Sequence, residues 1–86
     1  MTSEGFLRRL GAGRAVNCVY RQADLTGLIS AWANDGRFVL TWEECRAGDQ
    51  YNENSHSRDE RHLFDTAEDL LAFVEERGYS AFAFSP

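Results

Sequence analysis

The sequence predicts one α+β domain, residues 1–86: a mainly antiparallel sheet of four or five strands, one long helix packed on it and a short N-terminal helix. Three observations lead to this fold class. Apolar and polar residues alternate over several short segments, which is typical of strands with one buried face. Asp35-Gly36 lies between two apolar runs and indicates a hairpin turn. Near the C-terminus, apolar residues recur at helical spacing instead.

A short helix is expected at residues 3–11, capped by Thr2 or Ser3 and ended by Gly11 in the left-handed conformation. Residues 15–21 then alternate between apolar and polar side chains, which predicts a half-buried strand. The inward positions of this strand are Val16, Cys18 and Tyr20.

Residues 24–33 fit two patterns. Leu25, Leu28 and Trp32 recur at helical spacing, and a helix here would give a ferredoxin-like βαββαβ order. Thr26 and Gly27 are poor helix formers, however, and Asp-Gly favours a type I′ turn. We therefore favour a hairpin and keep the ferredoxin-like fold as the alternative.

The hairpin interpretation assigns each side chain to a face of the sheet. With Asp35-Gly36 as the turn, Asn34 pairs with Arg37 and Ala31 with Leu40. The predicted core face holds Ile29, Ala31, Ala33, Phe38, Leu40 and Trp42. The other face holds Ser30, Trp32, Val39 and Thr41, so Trp32 is expected to be semi-exposed.

The second half of the chain begins with a long polar segment. Residues 46–59 predict a loop in which Tyr51 is the one large side chain with apolar character, and a brief strand follows at 61–64. A helix is expected from Thr66 to 77, ended by Gly78. Residues 79–84 predict a final strand, with Phe82 and Phe84 pointing the same way.

Size and composition narrow the function classes. A chain of 86 residues with 43% hydrophobic residues supports one modest core, but not a deep substrate cavity as well, so we do not expect an enzyme. Cys18 and Cys45 have no CxxC spacing, and no leader-like apolar run begins the chain, which predicts a cytoplasmic protein with reduced thiols. No run approaches the roughly 20 apolar residues of a membrane span.

Charge is unevenly distributed along the chain. The net charge is −5, but residues 1–42 carry five Arg against three acids, whereas residues 43–86 carry four Arg against eleven acids. An acidic surface repels nucleic acid and attracts basic partners. The sequence therefore predicts a basic protein partner and no direct contact with nucleic acid or membrane.

Two groups of residues have side chains that can bind a metal ion, but the spacing of neither group fits a known type of metal site. Cys18, Cys45, His56 and His62 lack the short pair spacing of structural zinc sites. The twelve residues 49–60 resemble a calcium-binding EF-hand loop in length, but Tyr51 and Asn54 occupy positions that break its pattern. We expect no metal and no cofactor.

Candidate catalytic groups are also weak. Ser55-His56-Ser57 places a nucleophile beside a base, but sequence adjacency does not define a triad. The acid pairs Glu43-Glu44 and Asp59-Glu60 are expected to point to opposite faces of extended strands, so neither pair forms an acid/base dyad. We assign no catalytic residue.

The segment Gly78-Tyr79-Ser80-Ala81-Phe82, which follows an acidic helix, resembles the end of small bacterial immunity proteins that neutralise nuclease toxins such as tRNA-cleaving bacteriocins. The resemblance covers about the last twenty residues and transfers no binding residue. It implies a short acidic α+β inhibitor whose surface occupies the basic nucleic-acid cleft of a toxin.

Two function hypotheses follow. The first is an acidic inhibitor of the immunity or antitoxin type that binds a basic protein, with additional acids on the 66–77 helix. Its predicted partner-binding residues are Trp32, Glu43, Glu44, Asp49, Tyr51, Glu53, Asp59 and Glu60. The second is a self-associating structural or regulatory domain that dimerises through Trp32 and Val39 or through an edge strand.

Overall fold

The computed structural model describes residues 1–46 and 56–86 and confirms the α+β class. Four antiparallel strands follow one another in chain order within one sheet. The elements are α1 (Ser3–Gly11), β1 (Val16–Gln22), β2 (Leu25–Asn34), β3 (Arg37–Arg46), β4 (His56–Phe64) and α2 (Ala67–Glu76), followed by a short 3-10 helix (Ala81–Ala83).

The β2–β3 hairpin has the predicted turn and register. Asp35 and Gly36 both have positive φ, at 53° and 75°, as a type I′ turn requires. Asn34 pairs with Arg37, as predicted, and the pairing continues in step along both strands. Residues 25–34 are thus a strand, and the ferredoxin-like alternative is wrong. Buried side chains alternate along this strand from the turn onward, and this alternation prevails over the helical spacing of Leu25, Leu28 and Trp32.

Both helices pack on the same face of the sheet, which we call the inner face, and enclose a single core. The opposite face, which we call the open face, carries no helix in the described part of the chain. Fully buried core residues include Phe6, Leu10, Val16, Ile29, Ala31, Leu40, Leu70 and Val74. The predicted core face of the hairpin is therefore confirmed at Ile29, Ala31, Leu40 and Trp42, whereas Ala33 and Phe38 are only partly buried.

The helix ends follow local rules. The Oγ1 of Thr66 accepts a hydrogen bond from the Asp69 N–H at 3.1 Å and caps α2. At the other end Gly78 has φ 92°, and the Tyr79 N–H donates to the Val74 carbonyl at 3.0 Å, which is a Schellman ending. This ending returns the chain toward the inner face.

The two helices differ less in length than predicted, since α1 has 9 residues and α2 has 10. Thr2 caps α1, as predicted. The left-handed residue after α1 is Gly13, with φ 80°, and not Gly11. Within residues 1–46 and 56–86, no helix is both long and apolar enough to cross a membrane.

Two predictions in the second half are wrong. The strand β3 ends at Arg46 and β4 begins at His56, so residues 46 and 56–59 belong to strands and are not loop; residues 47–55 of the predicted loop lie outside the described residues. The predicted C-terminal strand is a 3-10 helix that leaves Phe82 74% exposed and Phe84 buried. The sheet therefore has four strands in the described chain, with Ser85 forming an isolated bridge to Asn17.

Candidate functional site

The structure divides the predicted partner-binding residues between two faces. Side chains of a strand alternate in direction, so neighbours in sequence separate. Those on the open face are Trp32, Glu43 and Asp59, and those on the inner face are Glu44 and Glu60. The remaining three, Asp49, Tyr51 and Glu53, lie outside the described residues. Within each acid pair, the two side chains lie on opposite faces of the sheet, as predicted.

Two carboxylates face each other on the open face. Glu43 of β3 lies directly opposite Asp59 of β4 in the strand register. Both side chains are exposed, and neither forms an ion pair within the described ranges. Directly opposed like charges destabilise an antiparallel pair. No direct ion pair therefore relieves this repulsion, although Arg61 lies on the same face in the neighbouring row, opposite Thr41.

Two exposed aliphatic side chains continue this row across the sheet. Leu28 pairs with Glu43 and is 37% exposed, and Val19 pairs with Leu28 and is 74% exposed. We call the four residues Val19, Leu28, Glu43 and Asp59 the carboxylate row. It is amphipathic, with apolar side chains on β1 and β2 and carboxylates on β3 and β4.

Another row of side chains, which we call the apolar row, lies nearer the β2–β3 turn. Trp32, Val39 and Leu63 are in register on the three strands β2, β3 and β4. Val39 is fully buried, Trp32 is half-buried as predicted, and Leu63 is 58% exposed. Polar residues separate this row from the carboxylate row.

The inner face has an open cleft of about 520 Å³, which we call the aromatic cleft. It lies where the strands extend past the helices. Its aromatic residues are Tyr20, Trp42 and Tyr79; its charged residues are Glu44, Arg58 and Arg77; Gln22 and Leu25 complete the lining.

A glycine makes room for the Tyr20 ring of the cleft. Tyr20 pairs with Gly27 across β1 and β2, and its ring lies over that glycine. A Cβ at Gly27 would lie 2.0 Å from the Tyr20 Cζ, far inside van der Waals contact. Gly27 is therefore required for its lack of a side chain, since its φ is not positive.

A hydrogen-bonded chain orders the aromatic side chains. The Trp42 Nε1–H donates to the Tyr20 Oη at 2.9 Å, and the Tyr20 hydroxyl donates to the Glu44 Oε2 at 2.8 Å. Burial raises the pKa of Tyr20 to about 12, so the phenol stays protonated and continues to donate even at pH values above its ordinary pKa of 10.0. The Tyr79 ring packs 5.1 Å from Tyr20 and 5.4 Å from Trp42.

Stacking holds both arginines of the cleft. The Arg58 guanidinium lies 4.2 Å from the centre of the Trp42 ring, and its Nε lies 2.7 Å from the Glu60 Oε2. Arg77 lies 3.5 Å from the centre of the Phe73 ring and donates to the Phe73 carbonyl at 2.9 Å. Each guanidinium is thus positioned by an aromatic ring and one short hydrogen bond.

Glu60 connects Arg58 to a histidine. Its Oε1 is 2.8 Å from the His62 Nε2, while its Oε2 contacts Arg58. The hydrogen bond to His62, aided by the charge of Arg58, lowers the pKa of Glu60. Glu60, which was predicted to bind a partner, thus pairs with two side chains of its own strand.

The structure locates some of the residues that have the chemistry of a metal ligand or a nucleophile. Cys18 is buried on the inner face and Cys45 on the open face, so they cannot ligate one metal ion. Burial raises the pKa of Cys18. No cluster of three or more potential metal ligands occurs in residues 1–46 and 56–86. The side chains of Ser55-His56-Ser57 lie outside the described structure.

Sequence reasoning did not identify the aromatic cleft. Tyr20 and Trp42 were assigned to the core, and Arg58 to a loop. The sequence offers no clear signal for this site, because residues 58–62 are polar at every position and do not alternate with apolar residues. Comparison with protein-family models, curated proteins and solved structures gives no match for this chain.

Proposed function

We propose that this protein is a non-enzymatic binding domain of the immunity or antitoxin type, which recognises a basic protein through the open face of its sheet. The carboxylate row is the observation that supports this function. It places two exposed carboxylates, Glu43 and Asp59, beside the exposed aliphatic side chains of Leu28 and Val19.

An arginine from a partner fits the chemistry of this row. Opposed residues of an antiparallel pair have Cβ atoms about 5 Å apart, so one guanidinium can reach both carboxylates. The methylene stem of that arginine would pack on Leu28. Binding would remove the repulsion between Glu43 and Asp59, which the free protein retains.

The acidic residues of α2 differ in role from those of the carboxylate row. Its exposed acids are Glu68, Asp69, Glu75 and Glu76. Glu68 and Asp69 lie in the first turn, where carboxylates stabilise the positive end of the helix dipole. These two acids therefore have a structural role within the fold and serve as a control for net charge.

Affinity capture tests this proposal by comparing the wild-type protein with variants in which acidic side chains are neutralised. Immobilised protein, incubated at low salt with an extract of cells that produce it, is expected to retain a basic protein that high salt releases. The double substitution Glu43→Gln with Asp59→Asn should abolish retention. Glu68→Gln with Asp69→Asn changes the net charge equally and should preserve it. Equal retention by both variants, or capture of an acidic protein alone, would contradict the proposal.

Self-association is the second candidate function, and the apolar row favours it. Leu63 on β4 is 58% exposed and shares a face with half-buried Trp32 on β2. Val39, which lies between them and was predicted to form the dimer surface, is fully buried and cannot contact a second copy. A second copy packing there would cover both side chains. Light scattering at tens of micromolar tests this directly: a dimer that Leu63→Glu converts to a monomer supports it, and a strict monomer refutes it.

A further inference from the structure

We propose that the aromatic cleft binds a small planar ligand bearing a carboxylate or a phosphate, held by Arg58 and Arg77. This site lies on the inner face, opposite the carboxylate row, and does not depend on the proposed binding of a basic protein. Its volume of about 520 Å³ is within the range of small-molecule sites.

Two guanidinium groups, those of Arg58 and Arg77, line the cleft together with one carboxylate, Glu44. Glu60 and Glu76 pair with these arginines, so the site carries no excess of positive charge, and its affinity for an anion depends on the N–H donors that remain. A guanidinium presents a planar set of N–H donors that matches two oxygens of a carboxylate or phosphate.

The donors are available and already oriented. Within the described residues, Arg58 uses its Nε to bind Glu60, and Arg77 uses Nη1 to bind the Phe73 carbonyl and to approach Glu76 at 3.7 Å. Their side chains remain 35% and 41% exposed. Since stacking on Trp42 and Phe73 restricts both side chains, binding would cost less conformational entropy than it would with free arginines.

The aromatic residues define the rest of the ligand. Trp42 is only 2% exposed, so its role is to support Arg58. Tyr20 and Tyr79 are half-buried, with ring centres 5.1 Å apart, and offer partly open surfaces to a planar ring.

Titration with phenyl phosphate, benzoate and neutral benzamide tests this proposal. Trp42 fluorescence is the signal, measured in a Trp32→Phe background so that only the tryptophan of the cleft emits. We expect a saturable change with phenyl phosphate or benzoate and none with benzamide. The tighter of the two anions identifies the anionic group that the cleft prefers.

Matched variants locate the binding. Arg77→Gln should weaken binding about tenfold or more, because a charge-assisted hydrogen bond is lost, and Arg77→Lys should recover only part of the affinity. Arg37→Gln removes the same charge from an exposed pair with Asp65, outside the cleft, and should leave affinity unchanged. Arg58→Gln provides a second variant if Arg77→Gln does not fold. Equal binding of benzamide, equal losses in Arg37→Gln and Arg77→Gln, or no saturation by either anion would overturn the proposal.

Discussion

The two ends of the inner face differ sharply, although the same strands build both. At one end the helices cover the sheet, and the side chains are fully buried aliphatic groups such as Ile29, Leu40 and Leu70. At the other end β1, β3 and β4 present Tyr20, Glu44 and Arg58 to the aromatic cleft.

Element length explains the difference. The ten residues of α2 extend about 15 Å, whereas the ten residues of β3 extend about 33 Å. A helix of this length covers only about half of a strand that it follows. Polar side chains on the inner face are thus tolerated where no helix lies above them, and that uncovered half is where this fold has room for a site.

Matched leucine truncations give the largest contrast between the two ends. Leu70 is fully buried, so Leu70→Ala should lower the free energy of unfolding by about 2–5 kcal/mol. Leu25 is only partly buried at the cleft, so Leu25→Ala should cost about 1 kcal/mol or less. Urea denaturation measures both variants. Similar losses would mean that the cleft end is packed as tightly as the core.

A side chain at Gly27 should disrupt the cleft end alone. Gly27→Ala places a methyl group where the Tyr20 ring lies, and we expect a loss of about 1–3 kcal/mol with a change in Trp42 emission. Gly11→Ala is the control, since a Cβ at that position would meet no other atom within 4 Å; it should be neutral or stabilising by up to about 1 kcal/mol. A Gly27→Ala variant as stable as wild type would disprove the close approach of Tyr20.

The same contrast shows how far sequence reasoning reaches. The turn at Asp35-Gly36 and the end of α2 at Gly78 depend on local chemistry, and both were predicted correctly. The extent of β4 was not predicted, because its polar residues lie on both faces and show no alternation with apolar residues. Arg58, Glu60 and His62 belong to the strand through pairing with β3, and the cover that α2 provides, with Phe73 packed 4.6 Å from the His62 ring, is a tertiary fact.

For the candidate site, sequence identified individual residues better than their grouping. Glu43 and Asp59 were predicted to bind a partner, but their direct opposition depends on the β3–β4 register. That register includes an irregularity at Glu44 and Cys45, which no sequence pattern indicates. Tyr79 reaches the cleft only because the chain reverses after Gly78.

Removal of the Tyr20 hydroxyl should have a moderate effect. Tyr20→Phe keeps the ring over Gly27 but leaves the Trp42 Nε1–H and Glu44 without this hydroxyl. We expect a loss of about 1 kcal/mol in the free energy of unfolding. A loss that equals that of Leu70→Ala would indicate that the cleft end contributes as much stability as the core.

Alkaline pH should produce the smallest and most specific effect. Because burial raises the pKa of Tyr20 in the folded protein to about 12, its contribution is complete below the ordinary value of 10.0 and is lost as pH rises toward 12. Wild type should therefore lose stability over this range more steeply than Tyr20→Phe. Urea denaturation at pH 9, 10, 11 and 12 measures the difference, and identical slopes would place Tyr20 in an unperturbed environment.

The most direct test of the proposed function is residue-resolved NMR during titration with an arginine-rich peptide. The carboxylate row predicts that amide shifts concentrate at Leu28, Glu43 and Asp59, and that Glu43→Gln with Asp59→Asn removes them while Glu68→Gln with Asp69→Asn does not. Shifts confined to α2, or unchanged when the carboxylate row is neutralised, would contradict the assignment of partner recognition to the open face.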